Sequence, residues 1–206
     1  MNSKLIVGVQ PYLDLAAQLW SEIDPELDLM KLEINQDSNY FFDLSELAKF
    51  SPKQCSAFVA WDYQFLNFRR LELMGELKKL GFSMPPLIAK GAYVGKDSII
   101  GENCFICPGA VINPKAILAF NCFVGSLSSI GYGTVLGNSV WLGAAVHVGV
   151  ECKVGSNSTI LQHSFVADYV EIGKQVLIEK PGCYNKSVQK KSFFLQKSNL
   201  NVVIVG

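Results

Sequence analysis

From Ile88 to Cys183 an aliphatic residue recurs at every sixth position. The run divides into 16 consecutive hexads, from IAKGAY and VGKDSI to IGKQVL and IEKPGC, each beginning with Ile, Val or Leu. The fifth place is small or short throughout (Ala, Ser, Cys, Thr, Val or Gly), and the second is Gly in nine. So short a period is that of a parallel β-helix, in which each hexad is one short strand plus a corner and three hexads close a triangular coil. The first residue fills the interior, the fifth permits tight packing beside a corner, and the glycines supply backbone geometry that a Cβ would forbid. Neighbouring coils are then expected to hydrogen-bond about 4.8 Å apart. No hexad is interrupted, so the lateral faces must carry the function.

The first 85 residues follow a different rhythm. KLIVGV reads as a strand, YLDLAAQLWSEI as an amphipathic helix and LDLMKLEI as a second strand. DLSELAKF is a short helix that Asp43 can cap; CSAFVAW is a third buried strand, and QFLNFRRLELMGELKKLG a long helix closed by Gly81. This alternation predicts a small Rossmann-like α/β unit. Its first strand-to-helix turn, Gly8-Val9-Gln10-Pro11-Tyr12, is where a nucleotide binds in such units. The turn offers one glycine, and Pro11 removes an N–H donor. The expected organisation is therefore an α/β unit over 1–85, a β-helix over 86–183 and a C-terminal tail over 184–206, with Pro85 and Pro86 at the joint.

Composition narrows the function. Lys plus Arg and Asp plus Glu number 18 each, and no basic run with interleaved aromatics occurs, so nucleic acid is not an expected partner. The N-terminus lacks the order of a signal peptide, and no apolar run reaches membrane-spanning length, which leads us to expect a cytoplasmic protein without membrane insertion. Six cysteines, at 55, 104, 107, 122, 152 and 183, are too sparse for a stapled scaffold, and Cys104-x-x-Cys107 has no second pair to complete a zinc site. They are expected to be reduced and mostly buried, with no metal bound.

An α/β unit followed by uninterrupted hexads resembles the bacterial sugar acetyltransferases grouped as the sialic-acid O-acetyltransferase and nucleotide-amino-sugar N-acetyltransferase family. FVAWDYQFLNFRRLELMGELKKLGF and IGENCFI are the most specific stretches, and the resemblance covers nearly the whole chain. It implies a left-handed β-helix, an exception to the usual right-handed crossover. It also implies a homotrimer that binds acetyl-CoA between neighbouring β-helices, with a sugar or nucleotide-sugar near the N-terminal unit. The implied reaction is transfer of an acetyl or other acyl group to an amine or hydroxyl of a sugar destined for surface glycans. The general base that the resemblance implies is a histidine at the third place of a middle hexad. Tyr132 occupies that place and Gly133 follows it.

His147 and His163 are the only histidines, both at outward places, and either is a candidate replacement base. Tyr132 would need a nearby cation to act as a base, and none stands beside it in the sequence. Backbone N–H groups around Gly143 and Ala144 could stabilise a tetrahedral oxyanion, and Trp141 could stack on an adenine or a sugar. Gly173 stands in the coils that, by the resemblance, lie against CoA; Gly8, Gln10 and Tyr12 are the candidate substrate-binding residues. Two histidines are too few for the zinc site of a β-helix carbonic anhydrase. The alternative to an acyltransferase is a non-catalytic hexapeptide-repeat protein that binds a ligand or a partner.

Overall fold

A computed structural model describes residues 3–196 and 201–203. Strands β1 (Ser3–Gly8), β2 (Asp28–Glu33) and β3 (Ser56–Ala60) form a parallel sheet in the order β2-β1-β3. Helices α1 (Tyr12–Ile23) and α2 (Phe68–Lys79) cover its two faces. Period-two alternation divides the sheet between them. Ile6 and Phe58 pack under α1, while Leu5, Val7 and Val59 pack under α2 with Leu73 and Leu77. The short helix expected after Asp43 is a 3₁₀ turn, Ser45–Lys49, whose Ser45 N–H is capped by Asp43 at 3.0 Å.

Gly8 ends β1 against Ala60, and a Cβ there would come within 2.0 Å of the Ala60 carbonyl oxygen. The glycine is thus required by strand pairing. A Gly8→Ala variant should lose at least about 2 kcal/mol, measured by denaturant unfolding, because backbone rather than a flexible side chain must yield.

From Leu87–Ile88 onward each hexad contributes a two-residue strand, and strands eighteen residues apart pair in parallel. Three sheets result. The first runs from Leu87–Ile88 through Trp141–Leu142 to Leu177–Ile178, the second from Tyr93–Val94 through His147–Val148 to Cys183–Tyr184, and the third from Ile99–Ile100 to Glu171–Ile172. The first-place residues, such as Ile106, Leu118, Leu142 and Ile160, form one buried column of interior side chains. The α/β unit is thus followed by a three-sheeted parallel β-solenoid. Part of the segment expected as a tail continues the first sheet: Ser192–Phe194 pairs parallel with Leu177–Ile178 and antiparallel with Asn201–Val203.

The special backbone of the hexad falls at its fourth place rather than its second. Every hexad but the last has a positive φ there, including Asn103, Lys115, Asn121, Ala145 and His163. The second-place glycines are needed for close approach instead: a Cβ on Gly131 would lie 2.2 Å from the carbonyl oxygen of Gly149 in the next coil.

The α/β unit docks on the first sheet. Leu13, Ala16 and Leu19 of α1 pack against Leu87, Phe105, Phe123 and Trp141. A polar seam runs beside this contact. Arg70 of α2 is fully buried, and its guanidinium donates to the carbonyl oxygens of Asn121 (2.6 Å) and Asn103 (3.1 Å). Asn103 accepts the Val59 N–H at 2.7 Å and donates to Asn121, which donates to Ser139, so fourth-place residues of successive coils form a ladder. Asn67 and Leu66 extend the seam to Thr159 and Asn157.

Candidate functional site

Where α1 and the loop after β3 meet the first sheet they leave a cleft of about 300 Å³. Tyr12 enters it from the start of α1, Tyr63 from the loop, Phe123 and Trp141 from the solenoid strands, and Gly143, Ala144 and Gln162 from two stacked corners. Four expected residues, Tyr12, Trp141, Gly143 and Ala144, therefore converge from two distant parts of the chain.

Trp141 is not the open platform that its outward place suggested. It is 2% exposed, because the α/β unit covers the first sheet. Its ring stacks on Phe123 at 3.8 Å, Tyr12 meets it edge-on at 5.4 Å and Tyr63 lies at 5.5 Å. The Arg70 guanidinium stands 5.9 Å from the ring. Burial pushes the Tyr12 phenol up to about 12, with Asp62 and Tyr63 adding and Arg70 opposing. Burial likewise lifts the Cys107 thiol at the cleft floor to about 12 and lowers Arg70 to about 10.

The remaining expected residues are dispersed. Gly8 lies inside the sheet, and Gln10 is exposed with its side chain hydrogen-bonded to Asp14. Gly173 occupies a different corner from Gly143 and is backed by the chain at Val188–Lys190, where a Cβ would meet the Lys190 nitrogen at 2.4 Å. His147 lies on the second sheet between two neighbours: its Nδ1 and the Ser129 hydroxyl share a 2.5 Å hydrogen bond, and its ring stacks on Phe165 at 4.8 Å. His163 is exposed at the corner beside Gln162, and its imidazole has no hydrogen-bond partner among the described residues.

Tyr132 stands on the corner between the second and third sheets and is 40% exposed. The cation absent from its local sequence is present in space: the Lys115 ammonium, from the preceding coil, lies 5.4 Å from the Tyr132 ring centroid. Hydrogen bonding to Tyr132 holds Lys115 above its ordinary value, with the phenol's charge and Asp97 adding.

Asp62, just beyond β3, escaped the sequence reading. It is half-buried, burial raises its carboxyl, and the Gln64 N–H donates to it at 2.9 Å. Its only sequence signal is an acidic residue at the carboxyl end of a buried strand, between Trp61 and Tyr63. Among the described residues there is no group of three or more His, Cys, Asp or Glu that could hold a metal ion, and no helix long and apolar enough to cross a membrane. All six cysteines are free; five are buried and Cys183 is exposed.

Residues 86–114 match the family described as bacterial transferase hexapeptide (six repeats). No curated protein matches the chain in sequence. Solved structures match it nearly end to end. PerB from Caulobacter crescentus, in complex with CoA and GDP-perosamine, is 18% identical over 93% of this chain and 92% of that one, with a TM-score of 0.78. The acetyltransferase domain of PglB from Neisseria gonorrhoeae FA1090 is 18% identical over 99% and 100%, with a TM-score of 0.68. WeeI from Acinetobacter baumannii AYE is 14% identical over 98% and 100%, with a TM-score of 0.65. The chain thus has the fold of the hexapeptide-repeat acetyltransferases from its first strand to its last coil.

Proposed function

We propose that the protein is a cytoplasmic, homotrimeric acyltransferase that moves an acetyl group from acetyl-CoA to a nucleotide-linked sugar. The observation that carries this reading is the cleft between the α/β unit and the solenoid, in a chain whose fold matches that of PerB, a protein bound to CoA and GDP-perosamine. Exposed apolar side chains on the two uncovered sheets, among them Tyr93, Ile99, Ile117, Val135 and Phe165, support association of solenoids.

In this reading the sugar occupies the cleft near Tyr12, and its nucleophile attacks the thioester carbonyl carbon. The C–N or C–O bond forms as the nucleophile's proton leaves, and the sulfur departs as the CoA thiol once protonated. Corner N–H groups near Gly143 and Ala144 would stabilise the oxyanion. His163 is the candidate base nearest the cleft, beside Gln162; His147 and Tyr132 are the others. The dispersion of these three residues favours the second reading, a binding protein on the same scaffold.

Thermal unfolding with acetyl-CoA, followed by an acyl-transfer assay, separates the two. A ligand at a hundredfold excess over its Kd should stabilise the fold by about 2.7 kcal/mol. Loss of the base in His163→Ala should lower kcat at least about a hundredfold. Stabilisation without transfer to any acceptor would leave the binding protein, and no shift at millimolar acetyl-CoA would remove the acyltransferase reading.

A further inference from the structure

Of the two histidines, His147 is the one to which the structure gives a chemical partner. On the second sheet, residues eighteen apart stand side by side in register, so Ser129, His147 and Phe165 form one outward column. The Ser129 hydroxyl and the His147 Nδ1 share a 2.5 Å hydrogen bond, and the Phe165 ring stacks on the imidazole at 4.8 Å with the two planes 11° apart. The α/β unit packs on the first sheet, away from this column, and Ser129 and His147 are each partly exposed. The pair is thus fixed by its neighbours and still open to solvent.

A serine hydroxyl attacks a carbonyl carbon effectively when a base takes its proton in the same step. With the ring proton on Nε2, which has no hydrogen-bond partner among the described residues, Nδ1 is the acceptor for the serine proton. Phe165 stands where a triad would place its third, orienting group. It fixes the plane of the imidazole but brings no negative charge to an imidazolium, so the pair should react more slowly than a full triad. Gly131 and Gly149, two residues along from Ser129 and His147, carry no side chain to crowd an incoming acyl group.

We propose that Ser129 and His147 form a second reactive site, at which Ser129 takes an acyl group from a short acyl thioester or other activated ester. The Ser129 Oγ bonds to the carbonyl carbon as its proton passes to His147 Nδ1. The bond from that carbon to sulfur then breaks, and the sulfur takes the proton from Nδ1 and leaves as a thiol. The product is an acyl ester of Ser129, formed without oxidation or reduction. Water attacking the ester carbonyl releases the acid and returns the proton to Oγ. The assignment rests on the acyltransferase reading only for acetyl-CoA as the donor; the nucleophilic pair stands apart from it.

The test is intact-mass and peptide-resolved mass spectrometry of the full chain after acid quenching, with p-nitrophenyl acetate and acetyl-CoA as separate probes. Release of p-nitrophenolate is followed in parallel, so that an ester hydrolysed before the quench is still detected. Site resolution matters because Cys183, next to Phe165 on the same sheet, is an exposed thiol that the activated ester also reaches. Wild-type protein should gain one acetyl group on the peptide carrying Ser129, or turn over the ester in its place. Ser129→Ala should abolish that reaction, and His147→Gln should slow it at least about a hundredfold, with both unfolding midpoints near wild type. Absence of Ser129-dependent reaction with both probes, or a rate unchanged in His147→Gln, overturns the assignment whether or not acetyl-CoA binds. Reaction with p-nitrophenyl acetate in a protein that acetyl-CoA neither stabilises nor acetylates upholds the reactive pair and overturns the acyltransferase reading alone.

Discussion

Arg70→Ala should be among the most destabilising single substitutions in the α/β unit, with an expected loss of about 3–5 kcal/mol. Arg70 is the largest fully buried side chain, and its guanidinium is the donor that two solenoid carbonyls share. Truncation leaves a cavity and strands the carbonyls of Asn103 and Asn121 without that donor, each a desolvated acceptor. It also opens the seam through which Asn103 reaches Val59 of β3. Arg70→Lys should fall between wild type and alanine, because an ammonium cannot reproduce the two-pronged geometry. Denaturant unfolding followed by tryptophan fluorescence reads the effect. A loss under about 1 kcal/mol for alanine would mean that the apolar contacts of α1 alone hold the two units together.

Trp141→Ala should cost a similar amount, about 3–5 kcal/mol, and should weaken acceptor binding as well. The ring lies at the centre of the aromatic cluster, against Phe123, Tyr12 and Tyr63. Its loss opens the cleft floor and leaves α1 without its main contact at that corner. Trp141→Phe keeps the stack on Phe123 and should recover more than half of the stability. The pair of variants separates two placements of this residue, since truncating a surface aromatic changes stability by only about 0.5 kcal/mol. Unfolding and probe titration on the same samples report both effects.

The solenoid was legible because its rule is local and repeats. An aliphatic residue at each first place and a small one at each fifth specify strand, corner and interior before any long-range contact is considered, and Ile106, Leu142 and Ile160 stand in the interior as their places require. The strands and helices of the α/β unit were legible for the same reason: YLDLAAQLWSEI carries the period of a surface helix, and that segment is α1. Hexad places named Trp141, Gly143 and Ala144, and the first strand-to-helix turn named Tyr12, without showing that they share one cleft.

The covered sheet could not be read from the repeat. Outward places look alike in sequence on all three sheets, so nothing in LGNSVW distinguishes Trp141 beneath α1 from Val135 on a free face. Lys115 reaches Tyr132 only because coil stacking brings residues 17 positions apart to one corner. Arg70 meets Asn121 across 51 positions, and Asn67 meets Thr159 across 92. Burial raises the Asp62 carboxyl, which nothing in its place between Trp61 and Tyr63 announces. The chain by itself determined the elements and the coil, since these follow from the periodic burial of side chains. The tertiary structure decided the site, since its charges and rings depend on which face of the coil the α/β unit covers.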